Sequence, residues 1–246
     1  MDKVIHYCWF GGNPLPDSAK KCIASWGKYF PDYEIKEWNE SNFDINANEY
    51  TKQAHEAKKY AFVSDYARMW ILYTYGGLYF DTDVEVIKPF DDILEKGSFM
   101  GFEIDGGTQD KMYVAPGLGL AATKGLKIYK EVLDVYDKLN FYKEDGTRNN
   151  YAIVSITTDV LLANGLKNQS GIQTVGGINL YPAEYFNPFN DATGKLNKTE
   201  NTHSIHWFSK TWMSPKNIIQ NKITRVFHRV FGINCFAWLN KLLKRK

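Results

Sequence analysis

The chain has 246 residues, enough to bury a core of its own, with 44% hydrophobic residues, 15% aromatic residues and a formal net charge of +2. Cys8, Cys22 and Cys235 are three in number and widely spaced, which excludes a disulfide framework or a cysteine metal site and fits a reducing compartment. Residues 1–9 lack the apolar core of a signal peptide, and no run approaches the roughly 18 apolar residues of a membrane span, so secretion and insertion are not expected.

The charge is unevenly spread. Residues 216–246 hold Lys216, Lys222, Arg225, Arg229, Lys241, Lys244, Arg245 and Lys246 and no acidic residue. Removing those eight from the 30 basic residues leaves 22 against 28 acidic ones, so residues 1–215 are net −6. An acidic body with a basic tail gives nucleic acid no extended positive path, and no nucleic-acid partner is expected.

In chain order, Val4–Phe10 reads as a strand that breaks at Gly11-Gly12, and Pro14 and Pro16 extend the loop. Ala19, Cys22, Ile23 and Trp26 recur at helical spacing over about 18–29, and a second strand fits Tyr33–Trp38. Strand, glycine loop, helix, strand is how an α/β nucleotide-binding domain commonly begins. Ala54, Ala57, Ala61, Ser64/Asp65, Arg68 and Leu72 lie three or four residues apart and predict one helix over 51–75 with a small, polar face. It ends at Gly76-Gly77, where Leu78–Phe80 forms a brief strand. After Asp81-Thr82-Asp83, Val84–Ile87 alternates as an extended segment closed by Pro89.

Phe99–Ile104 and Met112–Leu120 are strand candidates either side of Asp105-Gly106-Gly107; Gly125–Leu139 and a stretch near Val154–Leu162 read as helices. Residues 165–202 are loop-rich, and pattern returns at His206–Trp212. The division expected is one α/β domain over 1–215 and a basic amphipathic helical tail over 216–246. In that tail Ile218-Ile219, Ile223, Val226-Phe227, Val230-Phe231 and later Phe236, Trp238-Leu239 and Leu242-Leu243 alternate with basic residues. Such a tail either packs on the domain or rests on an anionic membrane surface.

Asp81 and Asp83 are one residue apart beside a glycine-led strand. Carboxylates so placed either cap a turn or hold a hard cation such as Mn²⁺ or Mg²⁺ with one reaching a ribose or metal-bound water. Asp65 and Arg68, one helical turn apart, are either an ordinary salt bridge or a pair in which Asp65 accepts hydrogen bonds from sugar hydroxyls while Arg68 orients it or meets phosphate. Asn149-Asn150, Thr157-Thr158-Asp159 and Glu103/Asp105 are polar groups able to return to a cleft from later elements.

Ala61-Phe62-Val63-Ser64-Asp65-Tyr66-Ala67-Arg68, with Leu72 and Gly76-Gly77-Leu78-Tyr79-Phe80-Asp81-Thr82-Asp83-Val84, resembles the signature of the glycosyltransferases with a sugar-binding region containing the DXD motif. This is the family 32 type of capsular-polysaccharide transferases and yeast-type initiating mannosyltransferases, related to the glucosylating domain of large clostridial toxins. Ile5–Gly12 is similar to the family's opening strand and loop, and Ile205–Trp212 to its closing segment; the likeness spans roughly residues 3–215 and is strong in these three islands.

The resemblance implies a GT-A type, Rossmann-like α/β fold around a largely parallel sheet, and a retaining transfer of a hexose or N-acetylhexosamine from a nucleotide-sugar, with a UDP-sugar the first choice and GDP-mannose the second. It would put Trp9 against the donor base, Asp65 and Arg68 beside sugar and phosphates, Tyr79 in the same pocket, Asp81 on ribose or sugar, and Asp83 on the metal. His206 would complete or support the metal site, and Thr211 and Trp212 would belong to a loop closing over the donor. Trp207 stands where a second histidine is common and cannot replace an imidazole ligand, and Thr211 stands where serine is common. The expected acceptor is a capsule, lipopolysaccharide or related surface-glycan precursor, including a polyprenyl-diphosphate-linked saccharide met at the inner face of a cytoplasmic membrane. The alternatives are a non-catalytic carbohydrate-binding protein, which has little use for Asp65, Arg68, Asp81 and Asp83 together, and a metal-dependent phosphohydrolase, which needs a denser carboxylate and histidine cluster.

Overall fold

The computed structural model describes residues 1–107, 111–210, 215–232 and 235–236. It opens with β1 (Val4–Cys8), α1 (Asp17–Tyr29) and β2 (Glu34–Trp38), close to the expected order. The expected single helix over 51–75 is two, α2 (Glu49–Glu56) and α3 (Tyr60–Tyr75). Lys58 takes a positive φ of 55°, and the Lys59 amide donates to the Ala54 carbonyl at 2.8 Å, which ends α2 and reaims the chain. Ala57, Lys58 and Lys59 carry no helix-breaking side chain, so the sequence hides the corner.

Next come β3 (Gly77–Tyr79), β4 (Val84–Val86), α4 (Asp91–Leu94), β5 (Phe99–Ile104), β6 (Tyr113–Val114) and β7 (Leu120–Ala122). The strand expected over 112–120 is therefore divided, with a 3-10 turn at Pro116–Leu118. Helices α5 (Lys127–Tyr136) and α6 (Ile153–Ala163) follow. The loop-rich 165–202 contains β8 (Gln173–Val175), β9 (Ile178–Tyr181), α7 (Ala183–Phe186), β10 (Phe189–Asn190) and β11 (Lys195–Leu196), and the described chain closes with β12 (Ser204–His206) and α8 (Pro215–Phe231).

The central sheet has the order β2-β1-β3-β7-β5-β9-β8, with β6 added to β5. Strands β2, β1, β3, β5 and β9 share one direction, while β7 and β8 run against it. This is the largely parallel α/β sheet expected, with β7 reversed at its middle.

Side chains alternate along these strands and so split into two cores, one on each face. On one face Ile5, Tyr7, Leu78, Phe80, Phe99, Ala121 and Tyr181 pack with Trp26 of α1. On the other, Cys8, Tyr79, Met100, Phe102, Leu120, Ala122 and Leu180 pack with residues of α3, α5 and α6. Trp26 is fully buried and its indole N–H donates to the Val84 carbonyl at 2.8 Å, so α1 fixes the strand that follows the acidic pair. Gly77, at φ 91°, runs so close to β1 that a Cβ there would lie 2.7 Å from the Val4 carbonyl oxygen. Only glycine lets β3 enter the sheet at that point.

Candidate active site

The carboxyl ends of β1 and β3, the first turns of α3 and the segment after β12 surround one cavity of about 720 Å³. Ligands of open α/β sheets bind at this end of the strands. Trp9, Asp65, Arg68, Asp81, Asp83 and His206 all line it. The Trp9 indole N–H donates to the Asn13 carbonyl at 2.6 Å, which fixes the ring's angle against the glycine loop.

Arg68 is the centre of the cavity's inner wall. One of its Nη atoms lies 3.1 Å from Asp65 Oδ1 and 3.1 Å from Asp81 Oδ1, the other donates to Asp81 Oδ2 at 3.3 Å, and Nε donates to the Ser64 carbonyl. One guanidinium thus serves two carboxylates. Burial pushes the Asp65 carboxyl up to about 7 against the opposing pull of Arg68, and burial likewise raises Asp81, opposed by Arg68. Tyr79 is buried below them; its hydroxyl donates to Asp81 Oδ1 at 3.0 Å, and its side chain supports Asp81 without lining the cavity.

Asp83 has a separate set of partners. Its Oδ1 lies 3.1 Å from His206 Nε2, and its Oδ2 accepts from the Ser209 amide at 2.8 Å and the Ser209 hydroxyl at 3.0 Å. Burial works to raise this carboxyl, but His206 and Ser209 outweigh it and hold the group well below the usual carboxylate range. Burial alone would lower His206; Asp83 raises it instead. The antiparallel pairing of β12 with β4 puts His206 opposite Val84, which carries the imidazole to the acidic pair across 122 positions of chain. Phe208 and Lys210 both have positive φ, 49° and 51°, a strained state for non-glycine residues that turns Ser209 toward Asp83.

Asp81, Asp83 and His206 offer ligand atoms that all lie within 4.8 Å of one another, and His206 Nδ1 is buried without a hydrogen-bond partner. Two carboxylates with one imidazole suit Mn²⁺ or Mg²⁺. These residues fit such an ion.

Gly117 closes the cavity above Asp81. A Cβ there would stand 2.3 Å from Asp81 Oδ2 and 3.2 Å from an Arg68 Nη, and Asp81 is held by Arg68 and Tyr79 and cannot swing aside freely. Gly117→Ala should therefore cost about 1–3 kcal/mol, the usual penalty for overpacking. Urea denaturation measures it, and an unchanged midpoint would show that Asp81 has room to spare.

Thr211 and Trp212 lie outside the described residues. Asp159 accepts a hydrogen bond from the Tyr151 hydroxyl at 2.8 Å and does not line the cavity; Asp105 accepts from the Ala183 amide at 2.8 Å. Glu103 does line it. Ser209, Lys210, Tyr60 and Gly117 are cavity residues that sequence reasoning did not assign, and the left-handed turns around Ser209 have no glycine to signal them.

The model of the family described as glycosyltransferase sugar-binding region containing DXD motif matches residues 16–100. Inositol phosphoceramide mannosyltransferase 1 of Schizosaccharomyces pombe is 28% identical over 111 residues, covering 41% of this chain and 33% of the relative. Inositol phosphoceramide mannosyltransferase 3 of the same organism is 33% identical over 102 residues, covering 38% and 27%. The chain thus spans a third or less of the length of these relatives. Among solved structures, PaToxG glycosyltransferase aligns with a TM-score of 0.49 at 21% identity, over 66% of this chain and 69% of that one.

Proposed function

We propose, from the premise that residues 16–100 carry the glycosyltransferase sugar-binding region containing the DXD motif, that this chain is a metal-dependent, retaining glycosyltransferase using a nucleotide-sugar. The observation that carries the proposal is the gathering of Asp81, Asp83 and His206 into one ligand cluster in a cavity that also holds Trp9 and Asp65. Asp83 and His206, with Asp81, would hold Mn²⁺ or Mg²⁺, which supplies charge neutralisation to the donor diphosphate as its sugar bond breaks.

The chain's own residues divide the remaining work. Trp9 lines the cavity and offers its ring for stacking on the donor base, with a UDP-sugar the first choice and GDP-mannose the second. Asp65 accepts hydrogen bonds from the sugar. Arg68 keeps Asp65 and Asp81 in place and offsets their charge. Ser209 donates to the Asp83 oxygen that His206 leaves free. The acceptor hydroxyl attacks the face from which the diphosphate leaves, and the departing phosphate oxygen takes its proton. The test is a panel of nucleotide-sugars assayed for donor cleavage with and without Mn²⁺ or Mg²⁺. Metal-stimulated turnover of one donor supports the reading; turnover of none sinks it.

The acceptor proposed is a surface-glycan precursor carried on a lipid at an anionic, cytoplasm-facing membrane. No helix of the described residues is long and apolar enough to cross a membrane. Helix α8, however, exposes Ile219, Ile223, Val226 and Val230, one stripe at spacings of four, three and four, beside Arg229. A basic amphipathic helix with such a stripe suits the interface of an anionic bilayer. Val226 and Val230 are 63% and 68% exposed, so Val226→Glu with Val230→Glu should leave folding intact. It should lower co-sedimentation with phosphatidylserine vesicles by about tenfold or more, since each change removes apolar contact and adds repulsion. Unchanged sedimentation would remove the membrane from the proposal.

A further inference from the structure

We propose that a second, smaller cavity beside the first receives the acceptor sugar, and that Glu103, which lines both, takes the hydrogen bond of the attacking hydroxyl. This rests on the transferase reading above.

The second cavity, of about 290 Å³, lies between the end of β5, helix α7 and the β10–β11 hairpin. That is the small end of ligand cavities, roughly 300–1,000 Å³, and suits a single sugar unit. Glu103, Glu184, Asn187, Asn190 and Asn197 line it. Asn190 Oδ1 accepts from Thr193, Glu184 Oε1 from Asn201, and Asn187 Nδ2 donates to the Glu103 carbonyl, which leaves the carboxylate of Glu103, the second oxygen of Glu184 and the amide of Asn197 for a ligand. Planar carboxylates and amides are the side chains that satisfy the paired hydroxyls of a sugar ring.

Glu103 is the residue the two cavities share. It is half-buried, and among the described residues its carboxylate accepts no hydrogen bond and makes no ion pair. Burial raises this carboxyl, with His206 of the metal cluster acting to lower it and Asp191 to raise it. A half-buried carboxylate that no donor of the described fold occupies is open to one that enters the cavity. The other carboxylates of the donor cavity each have a partner within the fold and a role on the donor side: Asp65 and Asp81 meet Arg68, and Asp83 meets His206 and Ser209. Meanwhile the backbone of Glu103 is fixed, since its carbonyl accepts from Asn187 Nδ2. The Glu103 side chain lines both the donor cavity and the smaller pocket.

In the transfer, the acceptor oxygen bonds to the anomeric carbon while the bond from that carbon to the diphosphate oxygen breaks, its electron pair staying on the diphosphate. The hydroxyl proton passes to that oxygen, as proposed above. Glu103 accepts the hydrogen bond of this O–H as the acceptor docks, and the O–H turns from Glu103 to the diphosphate oxygen as the leaving-group bond breaks, so Glu103 positions the hydroxyl and takes no proton. Helix α8 meets the same hairpin, with Arg225 bonded to Asp191 and His228 3.2 Å from the Ala192 carbonyl; these residues lie on the side of the helix opposite its exposed apolar stripe.

The test uses the full chain and two variants, Glu103→Gln and Asn197→Leu. Affinity for UDP with Mn²⁺ is read by calorimetry, and transfer is read on a panel of methyl hexosides. Glu103→Gln keeps the shape and loses the charge. It should raise the hexoside KM by about tenfold or more, the scale of a hydrogen bond to a charged group, with UDP affinity within about twofold of the parent. Asn197→Leu, farther from the donor, should raise the same KM with UDP affinity untouched. A hexoside KM unchanged in both variants, or a loss of UDP affinity equal to the loss of transfer, overturns the inference. So does a parent chain that cleaves a donor yet accepts no hexoside and shows no saturation transfer to any in the presence of UDP. A parent that neither binds UDP with metal nor cleaves any donor fails at the earlier step, and the transferase reading falls with it.

Discussion

Asp83→Ala is expected to fold and to lose metal-stimulated donor turnover by about a thousandfold, the scale on which a preorganised charge contact is felt in catalysis. The side chain makes three contacts, to His206 Nε2 and to the amide and hydroxyl of Ser209. Those contacts outweigh burial in setting its pKa, so the ionised form is the one the fold stabilises. A carboxyl depressed in this way contributes stability above the unfolded-state value of about 3.9 that is lost as pH falls through the lower folded-state value. Removing it frees His206 and Ser209 without leaving a buried anion, so the loss of stability should stay within roughly 1–3 kcal/mol.

Asp83→Asn separates structure from charge. The amide oxygen still accepts from Ser209, but a neutral ligand holds a divalent cation poorly. Both variants should therefore lose the rise in melting temperature that Mn²⁺ produces in the parent chain, a readout that does not depend on turnover. If folded Asp83→Ala turned over donor with the parent's metal response, the assignment of Asp83 to the metal would be wrong.

The largest effect on stability is expected at Arg68. The side chain is buried and is the only cation in ion-pair contact with Asp65 and Asp81 among the described residues. Arg68→Ala would leave two withdrawn carboxylates facing each other, and breaking a buried pair from one side costs about 3–5 kcal/mol. Against the 5–15 kcal/mol typical of a domain, that is a large fraction.

Arg68→Lys should recover only part of it. An ammonium is a point charge, whereas the guanidinium reaches both carboxylates and the Ser64 carbonyl in one plane. Adding Asp65→Asn to Arg68→Ala removes one of the stranded charges, and the double variant should be more stable than Arg68→Ala alone. Chemical denaturation of the three variants checks the series. A midpoint for Arg68→Ala within about 1 kcal/mol of the parent would mean that Asp65 and Asp81 find water or protons easily, and that the guanidinium is not what holds them.

The parts of this fold that local pattern could express are those that short-range physics decides. Periodicity and paired glycines placed β1, α1, β2 and the run from α3 through Gly76-Gly77 to the acidic pair within a few residues. The corner between α2 and α3 escaped because its residues are ordinary helix formers that adopt a left-handed turn only in tertiary context. Strand β9 escaped for a different reason: Ile178–Tyr181 is four residues between Gly176-Gly177 and Pro182, too short for alternation to register, yet it pairs with β5 in the central sheet.

The site divides the same way. Asp65, Arg68, Asp81 and Asp83 sit within 19 positions of one another, and their spacing already carried chemistry. His206 reaches them only through the β4–β12 pairing, and Ser209 only through two strained residues beside it. Glu103 could be named from the sequence as a polar group near a turn. That its carboxylate lines two cavities without a hydrogen-bond partner among the described residues depends on what every neighbouring side chain has already bonded.

Asp191 carries a consequence for the segment that follows the site. Lys210, a wall of the donor cavity, lies 2.6 Å from it, and Arg225 of α8 is paired with it as well. One carboxylate in the β10–β11 turn thus fastens the chain on both sides of the residues between β12 and the tail. Arg225 also donates to the Asp191 carbonyl and lies over the Phe189 ring, so this hairpin is the common anchor of Lys210 at the cavity wall and of helix α8.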